Sequence, residues 1–188
     1  LNLMIVCGFV FLVINLNLND FYSLINQEGY ATATSVVVIV SLGKYFSMSM
    51  GCLNNIISNS KYYSYVFWFS VSSAILAVIL NYIFIQSNGI IGAALATLIV
   101  IVFINLCKII LVSVLFKIHP YSKKSIGIFA TIFLIYGLVY WIPTLLHPIL
   151  SIAVRSALIM GLFTLPMLLF RWSGDIEDVL KNIRSRLL

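Results

Sequence analysis

Six long apolar stretches, at residues 1–18, 30–57, 62–85, 90–116, 126–142 and 149–170, take up most of this 188-residue chain. A helix needs about 20 apolar residues to cross the hydrocarbon core of a bilayer, and most of these stretches are of that order. A closed β-barrel would instead show segments of roughly ten residues alternating apolar and polar. With backbone groups that must be satisfied away from water, helices are the spanning structure that remains. The expected fold is therefore all-α: a polytopic integral membrane helix bundle of about six transmembrane helices. Only 9% of the residues are charged, against about 25% in soluble domains, so too little polar surface exists to wrap a globule in water. A soluble enzyme is excluded.

The net charge of +6 is spread between the apolar stretches, and no basic domain for nucleic acid is expected. It is better read as a topology signal. The connections at 20–29, 86–88 and 143–148 contain no Lys or Arg, whereas those at Lys61, at Lys117 with Lys123 and Lys124, and beyond Arg171 all do. Cytoplasmic loops hold the excess of bases, so the start of the first stretch and the C-terminus are both expected in the cytoplasm. Residues 172–188 carry Ile176, Leu180, Ile183 and Leu187 at helical spacing, with acids ahead of bases, and read as a cytoplasmic amphipathic tail on the inner leaflet. Cys7, Cys52 and Cys107 are isolated within apolar sequence, which indicates neither a disulfide framework nor a metal site. The chain opens at Leu1 inside an apolar stretch, with no initiator Met and no basic region before it, as the later part of a longer protein would; no signal peptide is expected.

Charged side chains inside the stretches are the candidates for function, since a Lys at the bilayer centre costs about 2.5–3.5 kcal/mol on insertion scales. Lys44 lies near the middle of the second stretch, too far from its ends for easy snorkelling. On one continuous helix it shares a face with Thr34, Ser41, Tyr45, Met48, Cys52 and Asn55, a stripe suited to a cavity wall. Lys108 and Arg155 lie nearer the ends of their stretches and are expected to snorkel. His119 and His147 each precede a proline in a connection and have no partner at catalytic or metal-ligand spacing. Asp20 and Glu28 fall in the first outer connection and the remaining acids in the tail, so no carboxylate is expected inside any span. No catalytic residue, metal ligand or cofactor is expected.

The string from Asn81 to Thr97, NYIFIQSNGIIGAALAT, ends one helix, turns through Gln86-Ser87-Asn88-Gly89 and starts another. Gly89, Ala93 and Thr97, and Gly92 with Ala96, set small residues four apart, which lets helix backbones approach closely. A tight hairpin between two spans is expected, with a packing role for the small residues.

At this string the chain resembles the C-terminal half of polysaccharide-export flippases of the O-antigen transporter type. These belong to the multidrug/oligosaccharidyl-lipid/polysaccharide exporter superfamily, which also holds toxin exporters and the lipid II flippase. The family pattern LN-x-x-x-I-P-x-x-G-I-x-G-A-A-x-A-T is matched by Leu80-Asn81 and by Gly89 through Thr97, with Gln86 near the place of the usual proline. Asn19-Asp20-Phe21-Tyr22 with Gly29 to Ala33 resembles the segment after an earlier family helix, and Asn59-Ser60-Lys61 a short family turn. The resemblance implies that residues 1–117 form four helices of the C-terminal transporter bundle, that 118–171 add two further transmembrane helices, and that an N-terminal half of the same transporter is a partner. It implies a flippase of the bacterial inner membrane, not an enzyme. Its cargo would be an undecaprenyl-diphosphate-linked oligosaccharide repeat for O-antigen or capsule biosynthesis, moved by alternating access beside the polymerase machinery. A diphosphate passing through an apolar bundle calls for a cation with hydroxyl and amide groups, so Lys44, Ser41, Tyr45 and Asn55 are the expected substrate-binding residues. The alternatives are a multidrug or toxin exporter of the same superfamily, for which an intramembrane carboxylate is expected, and a membrane polysaccharide polymerase or ligase, for which the short outer connections are unfavourable. A non-transporting scaffold in the assembly complex is a further one.

Overall fold

The structure, a computed structural model, describes residues 1–25, 31–119, 121–142 and 147–170. The expected tail at 172–188, Arg171 and Glu28 lie outside the described residues. Among those described, the chain is helical and has no strand: α1 (Asn2–Ile25), α2 (Ala31–Ser49), α3 (Leu53–Ser58), α4 (Ser64–Phe116), α5 (Lys123–Tyr140) and α6 (Pro148–Phe170). Asn2–Ile25, Ser64–Phe116 and Pro148–Met167 are long and apolar enough to cross a membrane, while Ala33–Ser49 and Lys124–Tyr140 are shorter apolar helices.

Two glycines with positive φ break the helices, one inside a stretch that the hydropathy pattern left continuous and one at the expected hairpin. Gly51 takes φ +63 and ends α2, so residues 30–57 do not form one helix. Gly89 takes φ 55 and ψ −133 in the middle of α4, a conformation that L side chains rarely adopt. It separates a first arm (64–88) from a second arm (90–116). A Cβ on Gly92 would land on the Phe84 carbonyl, a contact between residues eight apart that a straight helix cannot make. Tyr65 and Phe69 of the first arm line one cavity with Cys107, Ile110 and Val114 of the second, so the arms run antiparallel as a hairpin. The expected four-residue turn is thus reduced to a reversal about a single glycine.

The chain divides into two compact units, one containing Leu1–Leu24 with Lys123–Leu188 and the other Ile25–Ser122. Within the first of these units α1 packs with α6. In the unit of α2, α3 and α4, Gly43 packs against Leu98 and Ile101 of the second arm. Met50, Leu53 and Ile57 pack on Val112, with Phe46, Ile109, Phe116 and Tyr121 around them. The segment 31–58 therefore follows the second arm in the same direction, broken at Gly51. The hydroxyls of Ser49 and Tyr121 are hydrogen-bonded at 2.9 Å, tying the connection after α4 to the end of α2. Burial pushes the Tyr121 phenol above the usual tyrosine range, against a smaller downward pull from that hydrogen bond.

In the other unit, Ile128, Ile132, Ile135 and Val139 make a buried stripe along α5 at spacings of three and four. Ser151, Arg155, Ile159 and Phe163 make one along α6 at a constant spacing of four. Met4, Gly8, Leu12, Leu16 and Asp20 do the same on α1. Phe9 meets Phe163 at 5.7 Å between ring centroids, and Asn17 meets Ser156 further along, so α1 and α6 run antiparallel.

A cysteine placed at Phe69 is expected to be joined to Cys107 by a short bis-thiol reagent in the assembled protein. A continuous helix would hold those positions about 57 Å apart at roughly 1.5 Å per residue, and failure to cross-link would refute the hairpin. Gly92→Leu is expected to abolish the cross-link, since the added side chain occupies the space of the Phe84 carbonyl.

Candidate functional site

Most polar side chains on these helices are absorbed locally. The hydroxyls of Ser41, Ser70 and Thr97 donate to the carbonyls of Val38, Val66 and Ala93, and the amides of Asn15 and Asn81 to those of Phe11 and Ala77. Each of these bonds closes within one helical turn, which is how a hydroxyl or amide is carried through an apolar medium at little cost. Groups that bond across helices are the informative exceptions, and they converge where α1, α5 and α6 meet.

Asp20 lies on the same buried stripe as Leu12 and Leu16, and Arg155 on that of Ile159 and Phe163, so helix register alone aims the two charges at each other. The guanidinium Nη1 of Arg155 donates to Asp20 Oδ2 at 2.9 Å and to the Leu16 carbonyl at 3.2 Å, while Nη2 donates to the carbonyl of Ile142 at 2.6 Å. The hydroxyl of Ser151, one turn earlier on α6, donates to the same Asp20 oxygen at 2.7 Å. Both charged side chains are nearly sealed, at 9% and 4% exposed. One cation thus ties together α1, the turn after α5 and the first turns of α6. The arrangement leaves Arg155 Nε and the Asn17 carbonyl oxygen buried without a hydrogen-bond partner among the described residues.

This geometry corrects two expectations. Arg155 does not snorkel: its position on the buried stripe turns it inward, to a carboxylate and two carbonyls. Asp20 is not in a connection: α1 extends to Ile25 and carries it as a buried helical residue. The statement that no carboxylate lies inside a span therefore fails. The signal was present as spacing, since Asp20 continues the series of Leu12 and Leu16, but the fall in hydropathy after Leu18 hid it.

The four residues expected to bind substrate are distributed differently from a single wall. Lys44 is exposed, and because it follows Gly43, whose neighbours are Leu98 and Ile101, it stands at least eight residues from either end of the second arm. Ser41 is half-buried one turn before it, its hydroxyl turned back on Val38. Tyr45 is buried, on another side of α2 from Lys44. Asn55 is exposed on α3, beyond the break at Gly51, so neither it nor Cys52 continues a stripe on α2. Ser41 and Lys44 remain neighbours; Tyr45 and Asn55 do not share their surface. Lys108 is half-buried, and His119, as expected of a connection residue, lies outside the helices with its Nδ1 at 3.0 Å from the Ser113 hydroxyl. Among the described residues no group of three or more His, Cys, Asp or Glu could hold a metal ion.

No protein-family model matches this chain, and neither a curated protein nor a solved structure does. What the residues themselves establish is a helical chain with spans apolar enough for a membrane, one buried ion pair in the unit of α1, α5 and α6, and an exposed lysine on α2.

Removing one partner of a buried ion pair strands the other, at a cost of about 3–5 kcal/mol, whereas replacing both by apolar groups of similar volume is close to neutral. Arg155→Ala and Asp20→Ala are each expected to destabilise the protein on that scale in denaturant titrations in micelles. The double variant Asp20→Leu with Arg155→Met should recover most of the loss. Equal losses for the single and double variants would mean that packing, not charge pairing, holds α1 to α6.

Proposed function

We propose that this chain is part of a flippase for lipid-linked oligosaccharides, moving an undecaprenyl-diphosphate-linked repeat unit from the cytoplasmic to the outer leaflet of the bacterial inner membrane. The observation that carries this reading is the exposed Lys44 on α2. Of the chain's five acids, Asp20 alone falls among the described residues, and its carboxylate is engaged by Arg155. The unit that contains Lys44 therefore has four lysines and no described acid. A cation at the level of the middle of an apolar arm calls for an anion beyond the described residues of its unit, and a diphosphate headgroup supplies one. The hairpin about Gly89 and the motif resemblance from Leu80 to Thr97 support the same family.

In this reading the two arms of α4 count as separate crossings beside α1, α2 with α3, α5 and α6, giving six, with the connections at Lys61 and Lys117 in the cytoplasm. Lys44 meets the diphosphate, Ser41 stands one turn away, and transport proceeds by rocking of two helical bundles around a midplane site with no covalent step. The N-terminal half of the transporter supplies the rest of the cavity.

The buried Asp20 favours a second reading, a drug or toxin exporter of the same superfamily, since such proteins carry cations and use intramembrane carboxylates. The two are separated by the residue that matters. Lys44→Ala in the intact transporter is expected to lower surface polysaccharide at least tenfold at equal expression, with Lys44→Arg retaining most of it. Undiminished export in Lys44→Ala removes that lysine from the substrate path, and loss of cation efflux in Asp20→Asn, in a protein still stable in micelles, would favour the exporter.

A further inference from the structure

One end of the α2–α4 unit combines an apolar groove with exposed bases. Between the two arms of α4 lies a cavity of about 390 Å³, lined by Tyr65 and Phe69 on the first arm and by Cys107, Ile110, Leu111 and Val114 on the second. Val114 is 70% exposed and Ile110 62%, so the cavity is a groove open along the flank of the hairpin. It extends over the half of the hairpin away from Gly89. Its volume lies within the roughly 300–1,000 Å³ typical of small-molecule sites.

The groove is continuous with a basic rim through a set of touching rings. Tyr65 packs against Tyr62 at 6.2 Å between centroids, and Tyr62 meets Phe116 edge-on at 5.8 Å. The Lys61 ammonium sits over the Tyr62 ring, 5.1 Å from its centroid. Lys117 follows Phe116 directly and takes the left-handed conformation (φ 56) that ends the helix. Both lysines are exposed, and this unit has no described carboxylate to neutralise them. An aromatic cluster between an apolar groove and a pair of cations is the arrangement of a membrane interface, where aromatic rings sit at headgroup level.

We infer that this end of the unit holds one anionic glycerophospholipid, with an acyl chain in the groove and its phosphate between Lys61 and Lys117. The occupant follows from complementarity at both ends: the lining takes hydrocarbon, and the rim takes a negative headgroup at the depth where the hydrocarbon stops. A zwitterionic lipid would fill the groove equally well but would gain less at the rim. The site is distinct from Lys44 and does not depend on the flippase reading.

The test uses the full chain in a neutral detergent with equal amounts of phosphatidylglycerol and phosphatidylcholine, read by native mass spectrometry. One retained phosphatidylglycerol per protein, favoured at least tenfold over phosphatidylcholine, is the expected result. Lys61→Glu with Lys117→Glu should abolish the preference while leaving the melting temperature within a few degrees. Should that variant not fold, Lys61→Gln alone should still reduce the preference severalfold. Cys107→Trp, which fills the groove, should lower retention of both lipids, and glycerol phosphate, a headgroup without chains, should not displace the bound lipid. Equal retention of the two lipids, or a preference that survives charge reversal, overturns the inference. So does a dimer mass that Cys107→Trp dissociates, which would give the groove to a second copy of the chain.

Discussion

Away from water every polar group must find its partner within the protein, and this one constraint orders nearly everything in the chain. It makes the backbone helical, since only intrahelical bonding satisfies each N–H and C=O without a neighbour. It turns serine, threonine and asparagine back onto carbonyls in the preceding turn, as Ser70 does onto Val66 and Asn81 onto Ala77. Where a side chain is too highly charged for that solution, it forces helices together. Arg155 satisfies itself on Asp20, Leu16 and Ile142, and those three bonds draw on α1 and on the turn that follows α5, fixing the register of α6 against both.

The same constraint separates the roles of the cations. Arg155 has a carboxylate and two carbonyls within reach, so its charge is absorbed and its contribution is to assembly. Lys44, Lys61 and Lys117 are exposed in a unit whose described residues include no acid, so no described carboxylate of that unit absorbs their charges. Depth distinguishes among these three: Lys44 stands beside the middle of the second arm, whereas Lys61 and Lys117 flank the aromatic cluster at the arm's end. In the readings proposed above, the first position meets a headgroup in passage and the second holds a lipid in residence.

Helical class and the approximate extents of the helices were legible in the hydropathy pattern, because a run of apolar residues near 20 long has few other uses. The reversal at Gly89 was legible too, from a glycine closing the polar run Gln86-Ser87-Asn88 and small residues at close-packing spacing. Less legible were features that depend on what lies across the interface. The break at Gly51 falls between apolar neighbours, Met50 and Leu53, that pack on the second arm, so no fall in hydropathy announces it. Asp20 was assigned to a connection because charge is conventionally read as the end of a span, yet its four-residue step from Leu16 makes it part of the buried face. Its partner lies 135 residues away, a distance over which no pattern within one segment can speak. Asn55 was grouped with Lys44 by assuming an unbroken helix, and backbone geometry at Gly51 undoes that, whereas Tyr45 stays on α2 but is buried on another side of it.

That separation also bears on how the protein is made. Asp20 leaves the ribosome long before Arg155, and at about 5–20 residues per second the gap amounts to roughly 7–27 seconds. During that interval α1 carries its acid without the arginine that meets it in the finished fold. Only when α6 emerges can the first helix settle. A nascent polypeptide interrupted before that moment holds Asp20 without Arg155, so the contact that joins the first helix to the sixth is among the last the chain can make.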